Sequence, residues 1–197
     1  MKSSVLGLLV LALAAPAAAQ ADDAPPSTDV FSYSTLQLDR QHAHSDFFGD
    51  SSAGNGLKFS YDFADEVYLF GQWNKLDFDA RPGSHSLTGI GVGAHQAYST
   101  QTSFYIDLAF MQDRLDSAGG GATDDYWRIS YGFRTHANGL LEYSGAIFTE
   151  RNTLFGRRPF GERVGLGLNF AVFSVQAGVE HTSDGNRTEL ALVWAYR

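Results

Sequence analysis

The sequence predicts an all-β chain that closes into an up-and-down antiparallel transmembrane barrel, and three observations predict it. Period-two alternation recurs in ten stretches, with no convincing 3.6-residue periodicity between them. One side of each alternation is bulky and apolar, while the other is small, glycine-rich or charged. The stretches are joined alternately by short links and by longer polar ones. Ten strands are expected, with eight as the alternative count.

Residues 1–21 stand outside this pattern. Lys2, the apolar run Val5 to Ala15 and the small residues Ala17 to Ala21 make a secretory signal with cleavage after Ala19 or Ala21. The run is shorter than the roughly 20 apolar residues of a spanning helix. Residues 22–29, with Pro25-Pro26, read as a mobile lead-in, and 30–197 as the barrel. The formal net charge is −8, and losing Lys2 with the signal makes the chain more acidic, which argues against a nucleic-acid partner. With no cysteine, an exported chain of this size must fold without disulfides.

Strands are expected at 30–41, 56–64, 67–78, 86–97, 102–113, 125–136, 139–150, 162–170, 174–182 and 187–196. The last of these puts Leu190, Leu192, Trp194 and Tyr196 opposite Glu189, Ala191, Val193 and Ala195, and it must pair with the first, because a sheet in lipid leaves no open edge. The links at 64–66, 98–101, 137–138 and 171–173 are short. Those at 41–55, 79–85, 116–124 and 151–161 are long and polar, and the hairpin at 183–186 falls on the same rim. Short turns face the periplasm and long loops the exterior in outer-membrane barrels.

A soluble lipocalin-like periplasmic barrel alternates equally well, with its greasy face inward. The bulky faces decide against it. Phe104, Ile106, Leu108 and Phe110, or Trp127, Ile129, Tyr131 and Phe133, are too many and too large for a small barrel's interior. Trp73, Tyr98, Trp127, Phe170, Trp194 and Tyr196 fall where an interfacial aromatic girdle belongs. The opposite face then fills the lumen, with Lys58, Asp62, Asp107, Arg128, Arg134, Glu142, Arg163, Glu180 and Glu189 as an ion network. A turn about Asn138 sets Arg134 opposite Glu142. Turns at Ala171-Val172 and Asp184-Gly185 set Glu180 opposite both Arg163 and Glu189, so Arg163 is expected to serve both acids. A structural network in a plugged or very narrow lumen is the plainer reading than a selective pore.

Other fragments invite chemistry. His181-Thr182-Ser183 is similar to the His-x-Ser element of outer-membrane lipid A deacylases, which implies an esterase with Ser183 as nucleophile and His181 as base, but no acid orients the histidine. His42, His44 and Asp46 fall close enough to suggest a metal site, but they lie in an expected surface loop with only two imidazoles in view, and a solvated loop is the plainer reading. Gly89, Gly91 and Gly93 sit inward on a strand, where they make room for Tyr68 and Phe70 rather than form a dinucleotide turn. Arg151, Arg157 and Arg158 surround one outer loop, which fits contact with lipopolysaccharide phosphates and a merely solvated loop equally well. Neither a cofactor nor a metal is expected.

The leader, the early strand with Tyr33, Gly56-Leu57-Lys58-Phe59-Ser60-Tyr61-Asp62-Phe63, Tyr68-Leu69-Phe70-Gly71 and the Gly89-x-Gly-x-Gly strand together resemble the small proteobacterial OmpA/OmpX-like outer-membrane β-barrels. The roughly 190-residue xanthomonad type is the most similar. The resemblance implies an integral outer-membrane protein inserted by the barrel-assembly machinery, with no attached peptidoglycan-binding domain. It carries no catalytic residues, and it departs at the end, where Tyr196 is followed by Arg197 rather than closing the chain. The expected role is structural, surface-interacting or narrow-channel, without catalysis, for a monomer whose partners are outer-membrane lipid and lipopolysaccharide.

Overall fold

The computed structural model describes residues 31–46, 49–137, 139–152 and 160–196. The expected signal and lead-in, Asn138, Arg157, Arg158 and Arg197 lie outside the described residues. Ten strands form: β1 (Thr35–Ser45), β2 (Asp50–Ala64), β3 (Val67–Phe78), β4 (Gly83–Ala97), β5 (Thr102–Ser117), β6 (Gly120–His136), β7 (Leu141–Asn152), β8 (Phe160–Phe170), β9 (Phe173–Thr182) and β10 (Gly185–Ala195). Each pairs antiparallel with its sequence neighbours, and β1 pairs with β10 from Thr35↔Ala195 to Ser45↔Gly185, so the barrel is closed.

Side chains alternate across this wall as the pleat requires. Leu57, Phe59 and Tyr61, Ile106 and Leu108, and Ile129 and Tyr131 point outward and are exposed, while Tyr68, Phe70, Met111, Tyr126 and Phe148 are buried inside. The exterior is thus a continuous apolar belt. Its lower edge, near the chain-terminal rim, is aromatic: Tyr98 meets Phe104 edge-on, Phe104 stacks on Tyr131, and Phe170 stacks on Phe173. At the upper edge Phe110 meets Trp127 edge-on.

The far rim departs from expectation. Residues expected in long loops continue the strands, so that among the described residues of that rim only Asp46, Gly49, 79–82, 118–119 and 183–184 lie outside the sheet. β5 and β6 run 16 and 17 residues, against the roughly 9–11 that cross a bilayer. The surplus rises above the belt. There the outward positions, such as Gln112, Arg114, Thr123 and Asp125, are as polar as the inward ones, so alternation vanishes from the sequence while the hydrogen-bonded ladder goes on.

Candidate functional site: the barrel lumen

At the terminal rim Phe31 to Ser34 enter the barrel without joining the sheet, although a strand is expected from residue 30. Phe31 and Tyr33 are buried. The Tyr33 ring stacks 4.0 Å from His95 and 4.8 Å from Tyr68. Its hydroxyl lies 3.1 Å from Ser103 Oγ, and its backbone N–H donates to Asp62 Oδ2 at 3.1 Å. Arg134 lies 4.8 Å over Phe31 and donates to the Ser32 carbonyl at 3.3 Å. The hook therefore stoppers this mouth with two aromatic rings.

Above it, Arg134 grips Glu142 through Nε at 2.8 Å and Nη2 at 3.2 Å. The expected ion pair forms, but in a different register. Arg134 faces Ser144 across the ladder and His136 faces Glu142, because the turn is centred on Gly139, whose φ of 73° favours glycine. The guanidinium reaches its acid diagonally, and His136 Nε2 adds a contact at 3.4 Å to the same carboxylate.

The middle of the lumen also needs correction. Arg163 faces Glu180 as expected, yet its Nη2 donates to Glu189 Oε1 at 2.7 Å. Glu180 lies 3.5 Å from Arg128 instead. The two acids do not face one another: Glu180 is opposite Arg187 and Glu189 is opposite Gly178. The hairpin tip is Ser183-Asp184, and Gly185 (φ 149°) opens β10, which slides the register by two. Arg128 also donates through Nε and Nη2 to Glu150, at 2.7 Å for Nε, and lies 4.3 Å over the Phe148 ring. Asp107 accepts a hydrogen bond from the Tyr68 hydroxyl, and the Lys58 ammonium sits 5.4 Å over Phe70.

Sequence reasoning left out several of these groups. Glu150 shares the inward parity of Phe148, a signal that was readable. Asp39 is buried between Gln37 and Gln41, which donate to it at 3.2 and 2.7 Å, and Gln37 also donates to Glu189 at 2.9 Å. Phe31 and Tyr33 carried a signal of their own, since they are bulky residues on the parity that is small or polar elsewhere.

Cavities remain between these contacts. About 170 Å³ lies between the hook and Arg128, about 30 Å³ beside Gln41, Asn74 and Glu189, and about 290 Å³ opens at the far rim. Since one water needs only ~10–15 Å³ of such volume, the lumen is wet but not an open bore. The far vestibule has acids in its wall (Asp50, Asp113, Asp124, Glu150, Glu180, Asp184), with Arg128 and Arg187 as the arginines.

The remaining candidate residues fall as follows. Trp73, Tyr98, Trp127, Phe170, Trp194 and Tyr196 all stand exposed on the outer surface. Gly91 and Gly93 lie inward on β4, where a Cβ would come 2.4 Å from the Phe70 ring and 2.2 Å from the Tyr68 ring. They leave room for those side chains, as expected. His42 and His44 are on β1 rather than in a loop, 3.9 Å from Asp79 and 3.6 Å from Asp46 respectively. Among the described residues no three potential ligands converge on a metal position. His181 and Ser183 engage different groups: the imidazole is bonded to Asn186, and the Ser183 hydroxyl donates to Asp184 at 3.3 Å. Arg151 is exposed on β7.

No protein-family model and no curated protein matches the chain. Among solved structures, the NanC porin superposes with a TM-score of 0.52 at 10% identity, covering 81% of this chain and all of that one. The outer-membrane protein OprG of Pseudomonas aeruginosa gives 0.46 at 9% identity over 88% of this chain and 100% of its own. The KdgM porin gives 0.44 at 13% over 82% and 99%. At these identities the likeness to NanC is one of fold, that of a closed antiparallel barrel.

Proposed function

We propose that the chain is an integral outer-membrane barrel with its terminal rim in the periplasm, closed at rest and non-catalytic. Its place in the envelope is supported by the exposed apolar belt with aromatic edges, since only a closed barrel satisfies every strand in lipid. The observation that carries the closed state is the Phe31–Tyr33 hook seated below the Arg134–Glu142 pair. NanC is named a porin; here the fold is kept and the bore is filled. Any residual passage is narrow, and the acidic vestibule favours small cations over anions. The OmpA/OmpX-like affinity, closest to the xanthomonad type, remains part of this proposal, with insertion by the barrel-assembly machinery and a monomeric state.

The test is fractionation of expressing cells, followed by gel mobility of the detergent-extracted protein with and without boiling. Outer-membrane recovery with heat-modifiable migration is expected. Soluble periplasmic protein with no heat shift would mean that the greasy face has been put on the wrong side.

A further inference from the structure

The outer wall holds a recess that the belt does not explain. On three neighbouring strands the outward row Leu38, Leu57 and Trp73 is in register, and the next row up is Arg40, Asn55 and Lys75. A two-residue step is about 7 Å along a strand, so two cations lie immediately above the uppermost large apolar side chains of this sector. Between them Ala53 and Asn55 are short, leaving a hollow of about 370 Å³ whose wall includes Arg40, Ala53, Asn55, Trp73, Lys75 and Asp77. Arg40 donates to Asn55 Oδ1 at 3.2 Å, and among the described residues neither Arg40 nor Lys75 has a carboxylate within ion-pair distance. Arg114, by contrast, is held by Asp116 at 3.1 Å.

We infer that this recess binds the phosphate-bearing headgroup of an outer-leaflet glycolipid, with Arg40 and Lys75 on the phosphate and the acyl chains running down over Leu38, Leu57 and Trp73. The inference rests on the outer-membrane reading above and specifies where on the barrel the lipid sits. Arg40 supplies a planar fork suited to phosphate oxygens, and Lys75 a point charge. Trp73, half in and half out of the belt, covers the boundary between headgroup and chain. Asp77 and Asp79 stand higher on β3 and beyond it, so the charge order from the belt upward is cation, then acid. That order favours an anion at headgroup depth and disfavours one approaching from the aqueous side.

The full-length protein in detergent micelles is doped with phosphorylated lipid A, and bound lipid is counted by native mass spectrometry. Wild type should retain lipid A, and R40Q/K75Q should bind it on the order of tenfold more weakly or worse. R40K/K75R, which keeps the charges, should restore most of the binding, and R114Q should change nothing. Dephosphorylated lipid A should bind weakly, and millimolar inorganic phosphate should neither bind alone nor displace the lipid. Equal retention by wild type and R40Q/K75Q would overturn the inference, as would equally tight binding of free phosphate. Unheated gel mobility of the same samples reports separately on the barrel. If the heat shift is present and lipid binding is unaffected by the variants, only the recess assignment fails; if the shift is absent, the membrane reading fails.

Discussion

Replacing Glu142 by alanine should be among the most damaging single changes in the lumen. Glu142 is 4% exposed, and its carboxylate accepts from Arg134 at 2.8 and 3.2 Å and from Asn169 at 3.5 Å, with His136 at 3.4 Å. Without it, Arg134 keeps the Ser32 carbonyl and the faces of Phe31 and Tyr33 but no counter-charge. Stranding one partner of a buried pair costs about 3–5 kcal/mol. The Arg134 side chain is 19% exposed, so the lower half of that range applies, roughly a 100- to 1000-fold shift in the folding equilibrium at 1.4 kcal/mol per decade. Removing both charges together, as R134M/E142L, should lie much nearer wild type, because neither desolvated charge is then left alone. Urea unfolding of vesicle-reconstituted protein, followed by tryptophan fluorescence at fixed lipid composition, is applied to wild type, R134M, E142L and R134M/E142L as the four corners of the cycle, with Glu142→Ala measured beside them. A loss below about 0.5 kcal/mol for Glu142→Ala, or strict additivity in the double variant, would refute the claim that these groups act as one desolvated pair.

Three further outcomes are expected. Gly93→Ala places a methyl against the Tyr68 ring and Asp107, and should destabilise by about 1–3 kcal/mol in the same unfolding assay. Leu108→Arg, in the middle of the belt, should cost about 2–4 kcal/mol in vesicles, whereas Gln112→Arg, two steps further up β5 and above the belt, should cost about 1 or less; equal costs would misplace the membrane. Ser183→Ala should leave the lipid A acyl pattern of expressing cells unchanged by mass spectrometry, since its hydroxyl is turned to Asp184 rather than to His181.

How much of this was legible depended on where a residue sits relative to the belt. Between Leu57 and Phe63, or Phe104 and Phe110, one face is uniformly bulky, and the sequence reading assigned both faces correctly, including the inward positions of Lys58, Asp107, Arg128 and Arg163. Above the belt the outer face turns polar at Gln112 and Arg114, and strand became indistinguishable from loop. Turn tips were misplaced by about one residue at Gly139 and Gly185, which keeps every side chain on its face but moves cross-strand partners by two. That is why the faces were right while Glu180 and Glu189 were wrongly set opposite one another. The Arg134–Glu142 pair survived its wrong register because an arginine is long enough to reach diagonally. Tyr33 falls in the expected strand at 30–41, and its parity does continue that of Thr35 and Gln37; only its bulk on the inward side marks it as a stopper.

The closed lumen is tested most directly by conductance of the purified protein in planar bilayers, wild type beside Tyr33→Ala. Tyr33 fills the mouth between His95, Tyr68 and Ser103, so wild type should show little or no steady current. Tyr33→Ala should leak detectably, with cations favoured by the acidic lumen. A large, steady current through wild type, unchanged by the substitution, would contradict the account.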